Sequence, residues 1–206
     1  MAQSSKFWDK IADRYSKKPV ADEEVYQKKL KITREYFHPD MEVLELGCGT
    51  GSTAISHAPF VKHIRALDFS TRMIEIAQRK ADAAQIGNVA FEQANVEELN
   101  ISDDSYDAVL GLSVLHLLEN KERAISRIYK ILKPGGIFVS STVCVADTMK
   151  WFKCIGPIGK FFGFMPLVKV FTTAELQKCL VDAGFTIDYQ WQPKAGSVFI
   201  VAKKPG

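Results

Sequence analysis

Gly47, Gly49 and Gly51 alternate with Cys48 and Thr50 directly after the apolar run that ends at Leu46. A buried strand that ends in such a G-x-G-x-G turn can bring its main chain close to a ligand, because glycine lacks a Cβ and accepts φ values closed to other residues. The spelling alone suits several classes of nucleotide-bearing cofactor. Asp68 follows in the stretch Ala66-Leu-Asp-Phe-Ser70, at the end of a second apolar run. A carboxylate there can accept hydrogen bonds from both hydroxyls of a ribose lying across the turn. The competing reading is an acid stabilised at the start of the next helix. His116, in Val-Leu-His-Leu-Leu, is the best candidate for a general base, since histidine titrates near neutrality. The competing reading, which the apolar surroundings favour, is a hydrogen-bonded histidine packed beneath a sheet edge.

Elements must position these residues. From Met41 onward, short β-rich runs alternate with helical patterns, the signature of a parallel sheet with helices on both faces. Strands are expected at 42–46, 63–68, 89–92, 106–110 and 136–142, and 185–191 with 197–203 reads as a closing antiparallel pair. A helix over 70–86 takes Ser70 as N-cap and repeats Met73, Ile76, Ala77, Lys80 and Ala84 at helical spacing. A second, over 121–132, is stopped by Lys133-Pro-Gly-Gly136, and a third runs over 173–183 between Thr172 and Gly184. Residues 1–40 read as a helical N-terminal lid, with Phe7, Ile11 and Tyr15 on one face. Residues 144–171 break the alternation and hold Trp151, Phe152, Phe161, Phe162, Phe164 and Met165 among glycines and prolines. Such an insertion is expected to form a lid over an acceptor site, or an extra helix packed on the core.

At 206 residues the chain fits a single domain able to bury its own core. The formal net charge of +3 is too small to imply nucleic acid. Cys48, Cys144, Cys154 and Cys179 show no C-x-x-C spacing, so no metal is expected and a reduced, cytoplasmic setting fits best. The first ten residues lack the apolar core of a signal peptide. The apolar stretch 151–171 is interrupted by Lys153, Lys160 and Lys169, which argues against a membrane span and leaves peripheral lipid contact open.

The order of these motifs, continued by Gln93-Ala-Asn-Val-Glu-Glu-Leu99, Tyr106 to Leu118 and Leu132-Lys-Pro-Gly-Gly136, resembles the class I S-adenosylmethionine (SAM)-dependent methyltransferases. It is most similar to their small-molecule branch of ubiquinone/menaquinone-biosynthesis type. The resemblance spans roughly Phe7 to Lys203. It implies a Rossmann-like α/β fold with a seven-stranded, mostly parallel sheet, an antiparallel final strand and helices on both faces. It also implies that Gly47, Cys48, Gly49 and Gly51 hold the methionine part of SAM, Asp68 the ribose, and Phe69 and Met73 the adenine faces. The adenine edge falls to Asn95 and the backbone N–H of Val96, although family members often carry Asp at the position of Asn95. An amide oxygen can still accept from the adenine amino group. Tyr15 would close over the methionine end, its competing reading being a packing stripe with Phe7 and Ile11, and Leu112 and Ser113 would face the sulfonium.

The expected reaction is transfer of the SAM methyl group to a small-molecule acceptor by in-line displacement, leaving S-adenosylhomocysteine. Alignment and exclusion of water do most of the work in such a step. Aromatic residues near the expected lid favour a planar or lipophilic acceptor. Removing the Asp68 side chain should weaken SAM binding and leave the fold intact. Two other readings stand beside this one. A noncatalytic SAM-binding or partner-binding module would share the same motifs. A nicotinamide dehydrogenase would want glycine or alanine where Ser52 stands.

Overall fold

The computed structural model describes residues 2–96, 100–148 and 169–206. The chain is α/β, with a seven-stranded sheet in the order β3 (Val89–Gln93), β2 (His63–Asp68), β1 (Glu42–Leu46), β4 (Tyr106–Leu112), β5 (Leu132–Val143), β7 (Ser197–Lys203) and β6 (Thr186–Lys194). Two compact units divide the chain, Met1–Asn100 and Ile101–Gly206. Within the first unit β1, β2 and β3 pair in parallel, and within the second β4 pairs in parallel with β5 while β7 runs against β5 and β6.

In the first unit, β1 (Glu42–Leu46), β2 (His63–Asp68) and β3 (Val89–Gln93) pair in parallel. β1 is buried from Val43 to Leu46, the near-continuous burial that a parallel strand shows when both faces are covered. The helices are α1 (Ala2–Ser16), α2 (Glu23–Arg34), α3 (Ser52–His57) and α4 (Thr71–Ala83). Ser70 caps α4 as expected, its hydroxyl accepting from the Met73 N–H at 3.2 Å. The buried face of α4 is Met73, Ile76, Ala77 and Ala81, so Ala81 takes the inward place expected of Ala84.

α1 is rotated from its expected face. Ala12 is fully buried against Met73 and Ile76, with Trp8 packed on the same cluster, whereas Tyr15 is 49% exposed. The reason is polar. Asp9 Oδ1 accepts from the Ser70 hydroxyl at 2.6 Å and from the Arg72 N–H at 3.1 Å, which fixes the helix at the N-terminus of α4. Burying a Met or Ile side chain contributes about 1.5–3 kcal/mol, so the apolar cluster carries most of this contact. The exposed Arg72–Asp13 pair at 2.8 Å is screened by solvent and adds orientation.

The second unit contains β4 (Tyr106–Leu112), α5 (Lys121–Ile131), β5 (Leu132–Val143), α6 (Val145–Thr148), α7 (Thr173–Asp182), β6 (Thr186–Lys194) and β7 (Ser197–Lys203). The Lys133-Pro-Gly-Gly136 segment ends α5 but lies within β5, at a register shift opposite Tyr106 and Ala108. Gly136 is required there: a Cβ would lie 2.9 Å from the Lys133 carbonyl oxygen and 3.0 Å from that of Asp107. α7 carries a full capping box between Thr172 and Glu175. The lid expected over 144–171 lies largely outside the described residues. Its two described ends meet, the Ala146 N–H donating to the Phe171 carbonyl at 3.3 Å.

His57, at the end of α3, is fully buried with its ring centroid 5.1 Å from that of Phe37 in an edge-on arrangement, and neither ring nitrogen has a hydrogen-bond partner. Burial, with the Arg34 charge second, lowers its pKa from 6.5 to about 3. The folded state thus refuses a proton that the unfolded chain takes, so stability is intact above pH 6.5 and is lost as pH falls toward 3. His57→Leu should remove about 1.4 kcal/mol per pH unit from the slope of stability between pH 6 and 4. Urea unfolding across that range measures it, and an unchanged slope would contradict the assignment.

Candidate SAM-binding site

The glycine turn is built by main-chain bonds and one carboxylate. The Cys48 N–H donates to the Leu67 carbonyl at 2.9 Å and the Gly51 N–H to the Cys48 carbonyl at 3.0 Å, tying the end of β1 to β2. Gly47, Gly49 and Gly51 have φ of 67°, 54° and 76°, all in the left-handed region. Two of them serve different purposes. A Cβ on Gly51 would lie 2.8 Å from Ala77 Cβ and 2.9 Å from the Phe91 ring, so this glycine admits α4 and β3. A Cβ on Gly49 would meet nothing within 4 Å, so this stretch of main chain is open to a ligand. The glycine that comes one residue early for a dinucleotide fingerprint is therefore a packing glycine.

Asp68 closes the turn. Its Oδ2 accepts from the Gly49 N–H at 2.9 Å and its Oδ1 from the Ser70 N–H at 2.9 Å. The residue is 6% exposed. Burial raises its pKa, while the Ser70 and Gly49 N–H groups act in the opposite direction. Each carboxylate oxygen can accept more than one hydrogen bond, so the side chain can hold the turn and still offer lone pairs to a diol. This corrects the expectation that its removal leaves the fold intact, because truncation orphans two backbone donors, at about 1–3 kcal/mol each where they are buried.

Glu45, in β1, did not emerge from the motif reading, although a charged residue amid Val43, Leu44 and Leu46 is a visible signal. It is 3% exposed and its Oε2 is buried without a partner. Burial first, and the Asp68 charge second, raise its pKa to about 8. The Cys48 thiol is likewise raised well above 9 by burial, then by Glu45 and Asp68, so it stays a neutral lining group. From α4, Lys80 Nζ donates to Thr50 Oγ1 at 3.0 Å and Ser52 Oγ at 3.3 Å, pinning the outer side of the turn.

The expected adenine residues fall at the ends of β2 and β3. The Ala94 N–H donates to the Asp68 carbonyl at 2.9 Å, holding half-buried Asn95 and Val96 beside the acid. The half-buried Phe69 accepts from Gln93 Nε2 at 3.2 Å through its carbonyl oxygen. Met73 is 2% exposed and packs in the α1–α4 cluster. Tyr15, in the last turn of α1, lies edge-on to Trp8 with ring centroids 6.2 Å apart.

In the second unit, Leu112 is the last residue of β4, and Ser113 follows with φ of 61°, its N–H donating to the Ser141 carbonyl at 2.7 Å. A non-glycine residue in this conformation carries strain, which concentrates where geometry matters. His116 lies in a one-turn 3-10 helix, Leu115–Leu117, with Nδ1 buried and unpartnered. Burial lowers its pKa, which favours the neutral ring able to accept a proton. Its carbonyl accepts from the Lys169 N–H at 2.7 Å. Among the described residues, no cluster could hold a metal ion and no helix is long and apolar enough to cross a membrane.

A glycine turn open at Gly49 and closed by an acid at the end of β2 marks a candidate methyl-donor site on a methyltransferase-like scaffold. Sequence comparison agrees, with the methyltransferase domain family matching residues 37–184. The chain belongs to this family and is a methyltransferase. It is 31% identical over 192 residues to a demethylmenaquinone methyltransferase of Leptospira interrogans, covering 82% of this chain and 77% of that one. It is 33% identical over 102 residues to a ubiquinone/menaquinone biosynthesis C-methyltransferase of Vibrio vulnificus, covering 48% and 39%. A SAM-dependent methyltransferase of Methanosarcina mazei has the same fold, with a TM-score of 0.71 at 22% identity over 84% of this chain and 97% of that one.

The two glycines should separate in mutagenesis. Gly51→Ala drives a methyl group into Ala77 and Phe91 and should cost about 2–4 kcal/mol of stability. Gly49→Ala meets open space and should cost about 1–2 kcal/mol, the strain of its φ alone. Denaturant unfolding of both variants checks this, and equal losses would contradict the division of roles.

Proposed function

We propose that the chain transfers a methyl group from SAM to a lipophilic small-molecule acceptor of the quinone-precursor type. The observation that carries the donor half is the Asp68 carboxylate bridging Gly49 and Ser70 beside an open Gly49 backbone. The relatives' names, which concern menaquinone and ubiquinone biosynthesis, support the acceptor half. SAM would supply an electrophilic methyl carbon on a sulfonium. This chain's residues would bind and orient it: Gly47, Cys48, Gly49 and Gly51 along the methionine part, Asp68 at the ribose, Phe69, Met73, Asn95 and Val96 at the adenine. Tyr15, Leu112 and Ser113 keep the sequence-derived role of enclosing the reacting end. A carbon acid or phenol gains from a base, and His116, with a buried and unpartnered Nδ1, is assigned to take that proton. The aromatic segment within 144–171 is assigned to the acceptor.

Two measurements test this reading. Asp68→Asn keeps an acceptor oxygen for one of the two N–H groups and should stay folded while its Kd for SAM rises at least tenfold, about 1.4 kcal/mol. Calorimetry reads this, and an unchanged Kd would remove Asp68 from the site. For the acceptor, S-adenosylhomocysteine release should be fastest with a demethylated quinone among quinone, phenol, amine and carboxylate candidates, and His116→Asn should lower kcat more than it alters KM. Turnover confined to amines would overturn both the acceptor class and the base.

A further inference from the structure

We propose that filling the donor site draws a proton off Glu45, so that SAM affinity is coupled to pH through this side chain. The inference rests on the assignment of the glycine turn to SAM. Glu45 stands in β1 two residues before Gly47, is 3% exposed, and leaves Oε2 buried without a hydrogen-bond partner. The titratable groups that act on it from its surroundings are the Asp68 carboxylate of β2 and, in the turn, the Cys48 thiol, so neither brings a positive charge. A carboxyl in that position is most stable neutral. The three other fixed groups at the turn do not relieve it: the Gly49 and Ser70 N–H groups are spent on Asp68, and Lys80 is turned to Thr50 and Ser52.

SAM carries a sulfonium and, near neutrality, an ammonium against one carboxylate, so it enters the site with a net positive charge. Positive charge entering a low-dielectric site beside a carboxyl favours the ionised form. Glu45–COOH then becomes Glu45–COO⁻ and the proton passes to solvent, with no bond to the donor made or broken. Because the free protein holds this proton up to about pH 8, binding below that pH must release it, and affinity must rise with pH. Glu45 acts as a positioning residue: it supplies a counter-charge only when the donor is present.

Calorimetry with SAM at pH 7 in two buffers of different ionisation enthalpy counts the protons released. The wild-type protein should release close to one, and its Kd should fall about tenfold per pH unit between pH 6 and 7.5. Glu45→Gln should bind SAM with that proton missing and a flatter pH profile. Infrared difference spectra of the wild-type protein should show loss of a protonated-carboxyl band on SAM addition, which keeps the test independent of how well the variant folds. Equal proton release by wild type and Glu45→Gln would place the source in the donor's amine or Asp68 and overturn the inference. SAM binding with no proton released by the wild type would also overturn it. Failure of the wild type to bind SAM at any pH would instead overturn the donor assignment on which it rests.

Discussion

The Asp68 carboxylate is the constraint on which the rest of this site depends. One oxygen holds the Gly49 N–H of the turn after β1, and the other holds the Ser70 N–H at the start of α4. It therefore sets the distance between the glycine turn and the helix that follows β2. Ser70 extends the network outward, since its hydroxyl caps Met73 and donates to Asp9 of α1. The N-terminal helix is thus registered against the same short segment that holds the turn, and the apolar cluster of Ala12, Met73 and Ile76 supplies the adhesion.

This arrangement keeps two acids in nearly dry surroundings. Asp68 is compensated by backbone donors, and Glu45 is not. A protein selected for stability alone would place an apolar residue at position 45, because an unpartnered buried carboxyl costs free energy. Retaining the acid is intelligible where a cationic ligand completes the site, in the same way that Gly49 leaves its main chain bare where a side chain would fit. Both features trade local stability for contact with something outside the chain.

Much of this was legible in the residues. The apolar runs ending at Leu46 and Asp68 gave β1 and β2 at their observed bounds, and Ser70 and Thr172 cap the helices they were expected to cap. The G-x-G-x-G turn and Asp68 stand next to each other because parallel neighbours β1 and β2 end on the same side of the sheet. Less legible was which face of a short helix is buried. Periodicity offered Phe7, Ile11 and Tyr15, but the choice was made by Asp9, whose bonds to Ser70 and Arg72 are long-range and invisible to a local pattern. Lys133-Pro-Gly-Gly136 reads as a stop, yet a register shift lets β5 run through it. Glu45 belongs to no motif: its charge amid the apolar residues of β1 is visible in the sequence, but its burial and its unpartnered Oε2 are tertiary facts.

The proposed role of the Asp68-clamped turn is that of the donor site of this methyltransferase. A crystal structure of the chain with S-adenosylhomocysteine tests it most directly. Both ribose hydroxyls should lie within hydrogen-bond distance of the Asp68 carboxylate, with the homocysteine part lying along Gly47 to Gly51. Product seated elsewhere, with the Asp68 carboxylate bonded only to Gly49 and Ser70, would contradict it.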